Sequence, residues 1–292
     1  MTTSGLRAKG PILIVGLVIL VLWYAGALGL NAPQSIEALN RTGNAWTTQD
    51  LVVRTMTMKR PVLPTPDQVL NDFCQSLFSY PLTSVRNLAY HAAVTASSAL
   101  SGFVLGLLLG TLLAVGIVHV KTLDSSLMPW VIISQTVPIL AIAPMVVVIF
   151  GNLGFTGLAP KAVISMYLCF FPITIGLVKG LRSTDPLAQD LMRTYSASTA
   201  QVFWLLRLPS SLPYLFASIK VAIAISLIGA IVAELPTGGT AGLGARLLSG
   251  SYYGQTIQIW STLVMSAFLG LALVGLAGLS ERLVLGRAGS KR

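Results

Sequence analysis

Long apolar runs alternate with polar connections along the chain. The first run, Pro11 to Leu30, gives way to a polar stretch that lasts to about residue 88. Further runs lie at about 92–118, 128–150, 161–180, 214–235 and 257–280. Each holds roughly the 20 apolar residues that a helix needs to cross a bilayer core. Six membrane-spanning helices are therefore predicted, with no separate soluble domain. Ala25-Gly26-Ala27 resembles a cleavage site, but the first run is longer than a secretory core of about 7–15 residues, so an uncleaved span is expected. In the polar stretch, "RPVLPTPDQV" sets Pro61, Pro64 and Pro66 too close together for continuous helix. An extended segment is expected there, capped by a short helix from Pro66 to Leu77.

Composition agrees with that pattern. The 292 residues are 54% hydrophobic and 10% charged, with a mean hydropathy of +0.79, whereas soluble domains carry about 25% charged residues. The net charge of +10 is read as loop Lys and Arg on the inner side of a membrane rather than as a nucleic-acid surface. With the N-terminus inside, twelve of the nineteen basic residues fall on that side, among them Arg7, Lys9, Lys179, Arg182, Arg193, Arg207, Lys291 and Arg292. Five of the other seven lie in the polar stretch. Both termini are thus expected in the cytoplasm. The resulting divisions are a stub and first span over 1–30, an outer polar segment over 31–90, a core of spans over 91–285 and an inner tail over 286–292, with 182–213 as an inner connection.

The spans carry polar and small residues at defined positions. Gly102, Gly106 and Gly110 recur every four residues, a ridge that lets another helix backbone approach. Static packing and a moving interface are both open, and either needs a helix partner. Pro138, Pro144 and Pro172 bend the third and fourth spans, and the freed carbonyls must be satisfied by protein or by a water-filled cavity. Gln135, Thr136 and Tyr167, beside these kinks, are candidates for a solute path, with intrahelical hydrogen bonding as the other reading. Glu234 ends the fifth span. It could line the outer mouth of a path, pair with Arg246, or mark where the helix meets water, and its terminal position favours the last.

Catalytic and metal signatures are missing. There is no G-x-x-x-x-G-K-[ST], H-E-x-x-H, CxxC pair or G-x-S-x-G. Cys74 and Cys169 are not expected to bond, and His91 and His119 sit at opposite ends of one predicted span, so no metal site is expected. The chain is expected not to be an enzyme.

"DLMRTYSASTAQVFWLLRLPSSLP", residues 190–213, carries more helix signals than a simple connection requires. Asp185 and Pro186 suit a helix start, and Leu187, Leu191, Met192 and Tyr195 share one helical face. A second short helix is expected from Thr199 to Leu208, ended by Pro209. Two surface helices presenting charge and an apolar ridge follow, unless they lie on lipid headgroups.

This stretch resembles the signature cytoplasmic loop of ATP-binding-cassette importer permeases: Glu-Ala-Ala, three residues, Gly, nine residues, Ile-x-Leu-Pro. Asp190, Leu191 and Met192 fall on Glu-Ala-Ala, Ser196 on the Gly, and Leu206 to Pro209 on the end. Serine in place of glycine is the main departure, since positive φ there would strain it. From about Pro61 to Leu285, "LPTPDQV", "GFVLGLLLGTLLAVGI", "VPILAIAPMVVVIFG", "LPSSLPYLFASIKVAI" and "AELPTGGTAGLG" are similar to the nitrate, sulfonate and taurine branch of that family.

The resemblance implies an all-α, six-span type I importer permease fold in the inner membrane, with a cytoplasmic coupling helix. It implies two permease copies, or this chain with a homologous permease, two cytoplasmic ATPase subunits that hold ATP and magnesium, and an extracytoplasmic binding protein. Asp190, Leu191, Met192, Arg193, Tyr195, Ser196 and Ala197 would contact the ATPase. The solute would be nitrate-, sulfonate- or taurine-like, or a pyrimidine- or vitamin-like compound. The alternative is a secondary carrier or channel without an ATPase, but no internal repeat and no acid in mid-span speak for one.

Overall fold

The computed structural model describes residues 4–41, 45–237 and 241–289. Residues 290–292 of the expected tail, and Gly238 to Thr240 within "AELPTGGTAGLG", lie outside them. Helix is the regular structure of the described residues, which hold no strand and gather into two compact units.

The first unit takes the chain up to Ala89 together with Arg246–Met265. Helix α1 runs from Ser4 to Asn40, ten residues beyond the end of the apolar run. Its last turns are held by side chains. The buried Asn31 accepts the N–H groups of Val62 (2.7 Å) and Leu63 (3.2 Å) and donates to the Leu63 carbonyl (2.7 Å). Trp23 donates to the Pro64 carbonyl. The proline-rich segment cannot satisfy its own backbone, so α1 does.

Helix α2 (Thr48–Met56), unforeseen in a nine-residue polar window, starts at a capping box between Thr47 and Asp50. Its buried Thr55 donates to Ser35 of α1. Helix α3 (Pro66–Phe78) begins at Pro66 as expected, with Thr65 as N-cap.

The second unit comprises Tyr90–Ala245 and Ser266–Arg292. Its long helices are α4 (Leu88–His119), α7 (Leu158–Arg182), α10 (Leu208–Glu234) and the latter part of α12 (Thr256–Gly289). Among the described residues, five helices are long and apolar enough to cross a membrane, and a bent pair can supply a sixth span. That pair corrects the expected third span. Helix α5 (Lys121–Ile133) passes through a 3-10 turn, Ser134–Thr136, into α6 (Ile139–Asn152), and the two segments lie at 99°. Pro138 is the cause. It forces Val137 into extended backbone (φ −79°, ψ 124°) and caps α6.

Helices α4, α7 and α10 pack through small residues. A methyl group added at Gly102 or Gly106 would overlap Ser165 or Cys169 of α7, and one at Gly110 would lie 2.8 Å from the Phe170 carbonyl. The ridge faces α7. Between α7 and α10 the same device recurs: Gly180 lies under Ser211 and Tyr214, Gly176 under Ser218, and Gly229 against the Ser165 backbone. Apolar clusters fill the rest, with Ala114, Ile117, Leu177, Val178 and Leu181 near one end and Ala99, Ile223, Leu227, Ala230, Leu273 and Ala277 toward the other.

Candidate functional site

The connection between α7 and α10 is built as a rigid element. The Asp185 carboxylate accepts the Leu187 N–H at 3.1 Å, and Pro186 takes the first turn of α8, Pro186–Thr194. Gln189 reaches back to the buried Thr184, which ties the helix to its own entry. At the other end, Ser196 N–H donates to the Arg193 carbonyl (2.8 Å) and Ala197 N–H to the Met192 carbonyl (2.9 Å). These two bonds form a Schellman ending, which requires a left-handed residue after the cap. Ser196 is that residue, at φ 55°, and among the described residues it alone is non-glycine with positive φ.

Helix α8 turns its apolar ridge to the outside. Leu187 is 78% exposed, Leu191 57% and Tyr195 77%. Asp190 and Arg193 flank it as an exposed pair at 3.2 Å, a contact that adds little stability. Met192 and Ala197 are half-buried beneath the ridge, and Ser196 is exposed. Contiguous exposed apolar surface of this kind marks an interaction site.

The second short helix expected before Pro209 is not separate. Helix α9 (Thr199–Val202), capped by Ser198 and Gln201, continues through a π turn, Phe203–Arg207, into α10. Pro209 has no N–H for the Leu205 carbonyl, and its ring would crowd that oxygen. Widening one turn, so that Leu208 N–H reaches the Phe203 carbonyl, carries the helix past the proline without a break.

Of the other sequence candidates, three meet at the α5–α6 break. The Tyr167 hydroxyl donates to the Ser134 carbonyl, whose α-helical donor four residues on would be Pro138, which has no N–H. Thr136 Oγ1 donates to the Ile133 carbonyl at 2.8 Å, and Gln135 Nε2 to Ser134 Oγ at 3.3 Å. Gln135 and Thr136 are exposed.

Glu234 is elsewhere and fully enclosed, so the reading that it marks where a helix meets water does not hold. Thr95 Oγ1 of α4 donates to its carboxylate at 2.9 and 3.0 Å, and Gly244 N–H, in the first turn of α11 (Leu243–Tyr252), donates at 2.8 Å. Lys161 Nζ of α7, itself almost buried, lies 4.0 Å away. The alternative of a pairing with Arg246 is not met: that side chain donates to the Arg86 carbonyl and Ser76 Oγ. Sequence reasoning missed Lys161 and Thr95. The signal was present, because Lys161 begins the fourth span and Glu234 ends the fifth, at the same predicted side. Among the described residues no group of three or more His, Cys, Asp and Glu could hold a metal.

Residues 102–286 match the protein family described as "Binding-protein-dependent transport system inner membrane component". The chain is 32% identical over 224 residues to the "Riboflavin transport system permease protein RibX" of Chloroflexus aurantiacus, covering 77% of this chain and 80% of that one. It is 31% identical over 186 residues to the "Formylaminopyrimidine transport permease protein ThiX" of Halalkalibacterium halodurans, covering 63% and 68%. A solved structure described as "Crystal structure of an amino acid ABC transporter with histidines" superposes with a TM-score of 0.56 at 14% identity, over 67% of this chain and 92% of that one. At that identity the likeness concerns the fold alone.

Proposed function

The chain belongs to the family of binding-protein-dependent transport inner membrane components, and from that membership we propose that it is the solute-path subunit of an ATP-driven importer, coupled through α8 to a separate ATPase. The coarser identity, a multi-pass permease subunit of an ABC transporter that is not itself an enzyme, follows from the family and the relatives. One observation carries the finer reading. An apolar ridge (Leu187, Leu191, Tyr195) stands exposed on a helix fixed at both ends, within the connection between two closely packed membrane helices. A lipid-lying helix would bring an apolar face with basic flanks; here the flanking pair is Asp190 with Arg193, and the ridge suits a cleft on a protein partner. ATP and magnesium belong on that partner, and both termini on its side of the membrane, in keeping with the distribution of Lys and Arg.

For the solute, the reading favoured is a small nitrogen heterocycle of the vitamin or pyrimidine class rather than an inorganic anion. Its support is the substrate names of two relatives above 30% identity. Tyr167, half-buried beside the α5–α6 break and packed against the buried Phe170 ring at 6.2 Å between centroids, offers aromatic surface there. An extracytoplasmic binding protein would deliver the solute, and a second copy of this chain or a homologous permease would complete the path.

Affinity purification from native membranes in mild detergent tests the assignment. A nucleotide-binding chain in about equal amount is expected, and it should be lost from the Tyr195→Glu/Ser196→Lys double variant while this chain still inserts. Recovery of this chain without an ATPase, with solute movement that needs no ATP, would replace the importer by a secondary carrier.

A further inference from the structure

The opposite charges of Lys161 and Glu234 lie at the ends of α7 and α10 remote from α8. At about 1.5 Å of rise per residue, Lys161 is roughly 30 Å along α7 from Arg182, where the connection begins. Between those points the two helices are in backbone-close contact at Gly180, Gly176 and Gly229. Helix α4 joins them through its glycine ridge and through the Ser226 hydroxyl, which donates to the Ala99 carbonyl. At the remote end, the Glu234 carboxylate then gathers α4 (Thr95), α7 (Lys161) and the backbone of Gly244. Gly242, at φ +122°, leaves room for that carboxylate, because a methyl group there would strike it. His91 Nδ1 accepts the Gly242 N–H at 3.0 Å and fixes the same turn. The carboxylate has no exposure, so its bonds serve the protein and not a passing solute.

We propose that Glu234, with Lys161 and Thr95, is a positioning residue that fastens the remote ends of α4, α7 and α10, so that a displacement begun at α8 reaches the other side of the membrane domain as motion of one body. This rests on the coupling role given to α8 above. Without the fastening, the helices stay packed near α8 but separate at the far end, and the displacement fades along their length.

The test compares the two ends of α7 in the complex copurified with its ATPase. In a Cys74→Ser background, which removes the exposed native thiol, one cysteine is introduced as Ser183→Cys near α8 or as Leu158→Cys at the remote end. Both positions are solvent-accessible. Maleimide labelling rates are measured with and without a non-hydrolysable ATP analogue and magnesium. With Glu234 intact, both rates are expected to change by about fivefold or more, the lower range of ordinary allosteric coupling. In Glu234→Gln, the Ser183→Cys response should persist and the Leu158→Cys response should vanish. Lys161→Met should behave likewise, and Thr95→Val should show a partial loss. These two variants decide the matter if Glu234→Gln does not assemble.

A far-end response that survives in every assembled variant overturns the proposal. So does a loss at both ends together, which would mean that the substitutions disturb docking or folding instead. If nucleotide moves neither end with Glu234 intact, the coupling role of α8 fails, and the fastening role falls with it.

Discussion

Ser196 shows how one side chain can be read from register and then explained by geometry. Its place in the resembling loop is a glycine position, and its φ of 55° is the conformation that glycine adopts most easily. A left-handed non-glycine residue costs about 1–2 kcal/mol, and exchange for glycine also frees the unfolded chain by roughly 0.4–1 kcal/mol. Ser196→Gly should therefore leave the α8 ending unchanged or tighter by up to about 1 kcal/mol. Ser196→Val should loosen it, and protease nicking between Arg193 and Ser198 reads both outcomes. Tyr195, 77% exposed on the ridge, is the side chain most suited to anchor a partner. Its replacement by alanine should cost about 2 kcal/mol of ATPase affinity, roughly thirtyfold, as for an interface hot spot, measured by titrating purified ATPase onto the permease. Asp50 gives a pH prediction in the other unit. The Thr47 backbone N–H and hydroxyl hold its carboxyl below the ordinary 3.8. Its capping contribution is therefore complete above 3.8 and is lost as pH falls through the lowered value. Hydrogen exchange in the first turn of α2 should rise in that acid range and lose this dependence in Asp50→Asn.

Among the elements, the glycine contacts separate two kinds of site that look alike in sequence. Gly180 faces α10, where an added methyl would lie 2.9 Å from Ser211 Cβ and Tyr214 Cβ, whereas Gly275 and Gly278 of α12 face open space. Gly180→Leu should destabilise the membrane domain by about 1–3 kcal/mol through overpacking. Gly275→Ala should leave it unchanged or more stable by about 0.5–1 kcal/mol. Thermal midpoints in detergent check the pair. Hydropathy places α4 and α7 within a few residues, because a membrane helix writes its length in apolar residues, whereas α1 and α12 run on past their apolar runs by nine or ten. It does not foresee that Pro138 breaks a span through 99° while Pro209 is absorbed by a π turn. The same residue type gives either result according to which neighbours take up the freed carbonyl, and Tyr167 does so for Ser134 across two elements.

For the whole molecule, α2 and α8 belong to different compact units. Deleting residues 45–57 should weaken the first unit, which loses the Thr55–Ser35 contact and the Gln68 bond to the Met56 carbonyl, yet leave ATPase capture by α8 intact. The ratio of ATPase to permease after copurification, compared with the full chain, measures this.

The sequence by itself determined the membrane class, the positions of the spans and the existence of a structured connection, since hydropathy, proline spacing and loop register are local properties of the chain. Only the tertiary structure decided that Glu234 faces Thr95, Lys161 and Gly244 instead of water. An isolated acid at a helix end is compatible with solvent, ligand or ion pair. The choice is made by residues far away in the chain, because a carboxylate taken out of water must find its donors wherever packing brings them.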